Sequence, residues 1–136
     1  MLLHLTDLSA EPLQGQIVRQ IRAKILTGEL AAGSDLPSIR RLAREQHISV
    51  ITVQRAYEIL EQGGLIHSRR GKGFFVTELS EEMRKGMARE RLRENLEPRI
   101  EAALAEGLGE EEISKVIQNI FDRGLIKNTR EEENHG

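Results

Sequence analysis

Apolar residues recur every fourth position at Leu13, Ile17, Ile21 and Ile25, which lays a single stripe along one helix. Pro12 sits where a first turn tolerates proline, and Gly28 supplies a helix stop. Ala32-Gly33-Ser34-Asp35 reads as a turn. A second, shorter helix is predicted after Leu36-Pro37-Ser38. Its Ile39, Leu42 and Ala43 face inward, and its Arg40, Arg41 and Arg44 face outward. Gln46-His47-Ile48 makes a tight connection to Ser49, a good N-cap for a third helix in which Val53, Ala56, Tyr57 and Leu60 keep helical spacing. Gly63-Gly64 closes it. Two short helices joined this closely form a helix-turn-helix. Leu65-Ile66-His67-Ser68 and Phe74-Phe75-Val76 then read as strands around the basic, glycine-rich turn Arg69-Arg70-Gly71-Lys72-Gly73. A hairpin with a basic tip in that place is a wing.

The remainder is helical in pattern. From Leu79 to Gly107, Met83, Met87, Leu92, Leu96, Ile100 and Leu104 are spaced by four or five residues. Pro98 is expected to kink or restart this helix, with Asn95 as a new cap. Gly107-Leu108-Gly109 is a turn, and Glu110-Glu111-Glu112 place negative charge at the next helix start. Ile113, Val116, Ile117, Ile120 and Phe121 form the apolar face of that helix, and Gly124 ends it. Two helices in so short a segment cannot bury both apolar stripes, so pairing with a second copy is the expected solution. The alternative use of these Met-containing faces is a pocket for a small-molecule effector of unspecified chemistry. The chain thus divides into a winged helix-turn-helix over residues 1–78, a helical dimerisation segment over 79–126 and a polar tail, expected to be disordered, over 127–136. The fold class is mainly α with one small β-hairpin.

Charge changes this picture only through its distribution. The 136 residues carry 20 Lys+Arg against 22 Asp+Glu, a formal net charge of -2. Residues 36–73 nevertheless hold seven basic and three acidic side chains. A basic segment in a neutral chain is the footprint of a phosphate-backbone binder. With no cysteine, there are no disulfides and no thiol chemistry. Aromatic residues make up 3%, too few for a base-stacking single-strand binder. No apolar run reaches the ~18–20 residues a membrane span needs, and the start lacks the pattern of a signal peptide. A cytoplasmic protein without membrane contact is expected. His4, His47, His67 and His135 lack metal-ligand spacing, Gly71-Lys72-Gly73 is no nucleotide fingerprint, and the glutamate runs are consecutive rather than convergent. Neither a metal, a cofactor nor catalysis is expected.

From Pro12 to Val76 the chain resembles the winged-helix DNA-binding domain of the GntR family of bacterial transcriptional regulators. The matching residues are Pro12-Leu13, Gln16-Ile17, Ile25, Gly28-Glu29-Leu30, Gly33, Leu36-Pro37-Ser38, Arg40 and Leu42-Ala43, then Ser49, Thr52-Val53, Ala56-Tyr57, Leu60-Glu61, Gly64-Leu65-Ile66, Arg70-Gly71-Lys72-Gly73 and Phe75-Val76. The short C-terminal part is similar to that of the YtrA-type subfamily, in which about two helices replace larger ligand-binding domains. There are two departures. Val50-Ile51 follows Ser49 where the family often has arginine, and Gln14 follows Pro12-Leu13 where it often has an aromatic residue.

What the resemblance implies is a sequence-specific regulator, most simply a repressor, that binds an inverted-repeat operator in double-stranded DNA as a homodimer. It places Arg40 at a DNA contact. The start of the third helix, with Ser49, Val50, Ile51, Thr52, Gln54 and Arg55, would enter the major groove. There Gln54 suits adenine, Val50 or Ile51 a thymine methyl, and Ser49 and Thr52 a phosphate or base. Ser38 and Arg41 on the second helix and Arg69, Arg70, Gly71 and Lys72 at the wing complete the candidate set. The reading from another class is a winged-helix assembly module whose basic face binds an acidic protein.

Overall fold

The computed structural model describes residues 1–124, so the expectation for residues 127–136 lies outside the described residues. The elements run α1 (Leu13–Leu26), α2 (Ile39–Gln46), α3 (Val50–Gln62), β1 (Ile66–Arg69), β2 (Gly73–Val76), α4 (Glu81–Ala105) and α5 (Glu110–Asp122). They belong to two compact units, Met1–Ala88 and the chain from Arg89 onward.

In the first unit the apolar stripes meet in one core. Ile17, Ile21 and Ile25 of α1 join Leu42 and Ala43 of α2, Val53, Ala56, Tyr57 and Leu60 of α3, and Leu65, Ile66 and Val76 of the hairpin. Each fully buried aliphatic side chain contributes ~1.5–3 kcal/mol, and this shared burial fixes α3 against α1 and α2. Ser38 Oγ accepts from Arg41 N at 3.1 Å and caps α2; Ser49 Oγ accepts from Ile51 N at 3.2 Å and caps α3. Between them His47 is left-handed at φ 56°, and the Ile48 N–H reaches back to the Ala43 carbonyl at 3.0 Å, which turns the chain within two residues.

The hairpin is antiparallel, with Ile66 opposite Val76 and Arg69 opposite Gly73. Of Ala32-Gly33-Ser34-Asp35, expected to be a turn, Ala32 and Gly33 do turn, and the chain from Ser34 to Leu36 then extends along β2. Asp35 bridges Phe75, Leu36 N donates to Phe74 O, and Val76 N donates to Ser34 O, both at 2.8 Å. Leu36 is thereby buried, and the free edge of β2 is covered. The segment before Pro12 is also pinned. Leu3 enters the core, and buried Gln16 accepts from Thr6 N at 3.0 Å while donating to Thr6 O and Glu11 O, both at 2.8 Å.

Tyr57 ties these layers together. Its hydroxyl donates to Pro37 O at 2.8 Å, and its ring meets Phe74 edge-on at 5.1 Å. Burial pushes the phenol well above its ordinary range. A raised acid pKa means the fold holds the neutral form. Stability is therefore complete below the unfolded pKa of ~10 and is lost as the pH rises above it. The chain has one tyrosine and no tryptophan, so ultraviolet absorbance reports this phenol alone. We expect no phenolate in the folded protein at pH ~10.5, where the urea-unfolded chain is mostly ionised. A folded-state midpoint near 10 would contradict this account of the buried phenol.

The first turns of α4 belong to the N-terminal unit, which runs past the expected boundary at Glu78 to Ala88. Leu79 and Met87 pack against its core, and Arg22 Nη2 donates to Met87 O at 3.1 Å. Met87, expected at a dimer interface, is thus half-buried against its own chain. The helix also passes unbroken through Pro98, with no restart at Asn95. Proline leaves one carbonyl without its helical partner, and on an exposed helix water can satisfy it.

In the second unit, the rest of α4 and α5 bury no residue. Leu92, Leu104, Val116 and Ile120 are 46–60% exposed, while Leu96, Ile100, Ile113 and Ile117 are half-buried.

Candidate nucleic-acid interface

All the candidate contact residues lie in the N-terminal unit, on α2, on the first turns of α3 and on the hairpin. The helical ones project outward because the opposite faces are spent on the core. Val53, Ala56 and Tyr57 turn inward, while Val50, Ile51, Gln54 and Arg55 turn to solvent. Val50 and Ile51 are 44% and 58% exposed side by side at the start of α3, which leaves two aliphatic side chains free to meet a partner. Thr52 is half-buried, which leaves it less reach than its neighbours. The backbone N–H groups at the start of α3 favour an anion, and Ser49 retains its hydroxyl proton for a second partner while it caps.

The basic side chains are not equivalent. Arg41 Nε donates to Glu45 Oε1 at 2.8 Å, one helical turn on. That contact holds the Glu45 carboxyl below its usual range and raises the Arg41 guanidinium above its own. Arg69 lies over the Phe75 ring, 4.5 Å from its centre, with His67 stacked on the same ring. By contrast, Arg40, Arg44, Arg55, Arg70 and Lys72 are exposed and take part in none of the ion pairs between described residues. Arg41 shares its charge with Glu45 before it can reach a phosphate, Arg69 is held over Phe75 with its in-plane donors free, and the other five carry neither restraint. Gln54 Nε2 rests on Glu58 Oε1 at 3.3 Å, a weak exposed contact easily exchanged.

The hairpin tip is Arg70-Gly71-Lys72, where Gly71 adopts φ 75° with open space around it. A glycine there allows the turn and a close backbone approach. The wing is also held at its root. Glu61 of α3 accepts from both Ser68 N and Ser68 Oγ at 3.0 Å, which locks the strand entering the tip to the helix that precedes it. Two features of the site emerge only in the folded chain. The Glu61–Ser68 link spans seven residues and a helix end, so no local signal marks it. Arg44, expected to face outward, is exposed as Arg40 is and forms no ion pair with a described residue, though its charge also acts on the adjacent Glu45, and it belongs with the candidates.

Comparison with known proteins places this geometry among regulators. The family described as bacterial regulatory proteins, gntR family, matches residues 13–76. The uncharacterized HTH-type transcriptional regulator YhcF of Bacillus subtilis (strain 168) is 32% identical over 119 residues, which cover 85% of this chain and 95% of YhcF. The HTH-type transcriptional repressor YtrA of the same organism is 37% identical over 70 residues, covering 52% of this chain and 54% of YtrA. Among solved structures, a GntR family transcriptional regulator from Listeria monocytogenes has a TM-score of 0.68 at 30% identity, covering 82% of this chain and 96% of that one. YtrA from Sulfolobus acidocaldarius, a GntR-family transcription factor, has a TM-score of 0.54 at 30% identity, covering 89% and 97%.

Proposed function

Because the chain belongs to the GntR family of bacterial transcriptional regulators, we propose that it is a cytoplasmic repressor that binds an inverted-repeat operator in double-stranded DNA as a homodimer. The observation that carries DNA binding is the set of exposed, unneutralised cations on α2, α3 and the wing tip, around a helix start that bares Val50, Ile51 and Gln54. In this reading α3 enters the major groove, with Gln54 facing adenine and Val50 or Ile51 a thymine methyl. Arg40 reads a guanine or holds a phosphate. Arg55, Ser38, Ser49 and Thr52 fix the register on the backbone, and Arg70, Gly71 and Lys72 reach flanking phosphates or the minor groove. Arg41 and Arg69 act mainly by positioning, one on Glu45 and one on Phe75. The exposed Leu92, Leu104, Val116, Ile120 and Phe121 and the half-buried Leu96, Ile100, Ile113 and Ile117 support pairing with a second copy, with exposed Met83 as a further candidate.

Arg40→Ala is expected to weaken duplex binding by ~1–3 kcal/mol if the side chain reads a base, or to flatten the salt slope by ~1 if it holds a phosphate. Arg41→Ala should cost less, since its charge is already shared with Glu45. Fluorescence anisotropy across a salt series measures both, with far-UV circular dichroism as a control for folding. Equal losses for the two variants would contradict the ranking, and unchanged affinity for Arg40→Ala would remove it from the site. Shallow salt dependence with no preference among duplexes would favour the protein-assembly reading instead.

A further inference from the structure

Arg84, in the first turn of α4, lies against the backbone just beyond α1. Gly28 sits there at φ 82°, and the place a Cβ would occupy is 2.6 Å from Arg84 Nη1. Any other residue would meet both backbone strain and the guanidinium. Arg84 is half-buried, and its Nε is enclosed without a hydrogen-bond partner. None of the ion pairs between described residues includes it. An enclosed cationic donor left unmet is costly, and such groups are ordinarily paired.

Beside this guanidinium is a cavity of about 170 Å³. Its lining is mixed: Ile25, Leu30, Val76 and Leu79 supply aliphatic surface, Thr77, Arg84 and backbone supply polar surface, exposed Ala32 lies at the rim, and no carboxylate lines it. The site lies wholly within the N-terminal unit.

We propose that this cavity binds a small monocarboxylate with a short alkyl body. The carboxylate takes the Arg84 guanidinium, and the alkyl group packs on Ile25, Leu30, Val76 and Leu79. One cation balances one negative charge, and charge-assisted bonds to guanidinium are strong in a partly enclosed setting. A phosphate dianion would bring a second charge and no alkyl group to meet the aliphatic side chains of the lining. The size agrees, since an apolar cavity of roughly 150 Å³ accepts a benzene-sized molecule.

Titrating the full chain with butyrate, while following backbone amide shifts by NMR, tests this. We expect saturable shifts at Gly28, Leu30, Thr77 and Arg84. Butyramide, equal in shape but neutral, should bind about 10–100-fold more weakly, and Arg84→Gln should weaken butyrate by the same factor. Ala32→Leu, which leaves the cation in place and narrows the mouth, should abolish the shifts, and it keeps the test valid if Arg84→Gln fails to fold. Equal binding of butyrate and butyramide, undiminished binding by either variant, inorganic phosphate binding as tightly as butyrate, or no saturable shift at millimolar butyrate would each overturn the proposal.

Discussion

Removing everything after Ala88 is expected to leave a folded winged helix that binds its operator about 10²–10⁴-fold more weakly than the full chain. The reason is avidity. In a homodimer, binding at one half-site holds the second head near the other at high effective concentration; a lone head must bind each independently. The cut belongs after Ala88 rather than near Leu79, because Leu79 and Met87 pack on the N-terminal core and Arg22 bonds Met87 O. An earlier cut would confound lost dimerisation with lost stability. Sedimentation of the full chain and anisotropy of both proteins on one duplex make the measurement. A full chain that stays monomeric at micromolar concentration, or a truncated chain that binds equally well, would contradict the dimer.

Tyr57→Ala is expected to have the largest effect on stability of any single change at the helix-turn-helix, ~3–5 kcal/mol. The ring is wholly buried, meets Phe74 edge-on, and carries the hydroxyl that holds Pro37 O. Deleting it opens a cavity where α2, α3 and β2 meet and strands a carbonyl. Tyr57→Phe separates the two contributions, since it keeps the ring and removes only the donor, at a cost of ~1–3 kcal/mol. Because Pro37 leads into the Ser38 cap of α2, that loss should loosen the start of the helix bearing Arg40. Urea denaturation measures both variants. A cost below ~1 kcal/mol for Tyr57→Ala would show that the site collapses without loss and that the hydrogen bond is idle.

Much of the fold was legible because the N-terminal unit writes its contacts locally. A four-residue stripe on α1, serine caps at Ser38 and Ser49, and glycines at the ends of α1 and α3 each state a boundary within a few residues. What stayed hidden depends on partners distant in sequence. Ala32 to Asp35 look like a turn by composition, and Ala32-Gly33 are one, yet Ser34 to Leu36 run along β2, joined by an isolated bridge at Asp35, because β2 offers unpaired groups. Leu3 is one of several apolar residues in the segment before Pro12, and only Leu3 and Leu5 of them reach the core, a choice that no helical period reveals. Its burial follows from Gln16 and Gln20 clasping the backbone at Thr6 and His4. Pro98 reads as a kink or a restart, and the restart does not occur, since proline's local cost does not interrupt a 25-residue helix.

The candidate site was legible in its residue types and less so in their states. That Arg40 and Arg41 both face outward follows from the apolar pattern of α2. That one is neutralised and the other is not follows from Glu45, four residues beyond Arg41, a signal present in the chain. The stacking of Arg69 on Phe75 needed the strand register, which pairs Arg69 with Gly73 and His67 with Phe75. The cavity beside Arg84 brings together the end of α1, the end of β2 and the start of α4. No local pattern announces such a meeting.

The central claim is that two equivalent α3 helices read two half-sites. Selection of binding sequences from a random duplex library by the full-length protein tests it most directly. Two such helices should enrich inverted repeats whose half-sites contain A·T pairs, read by Gln54 with Val50 or Ile51, and a guanine within reach of Arg40. Enriched sites without dyad symmetry, or no enrichment over the starting library, would contradict it.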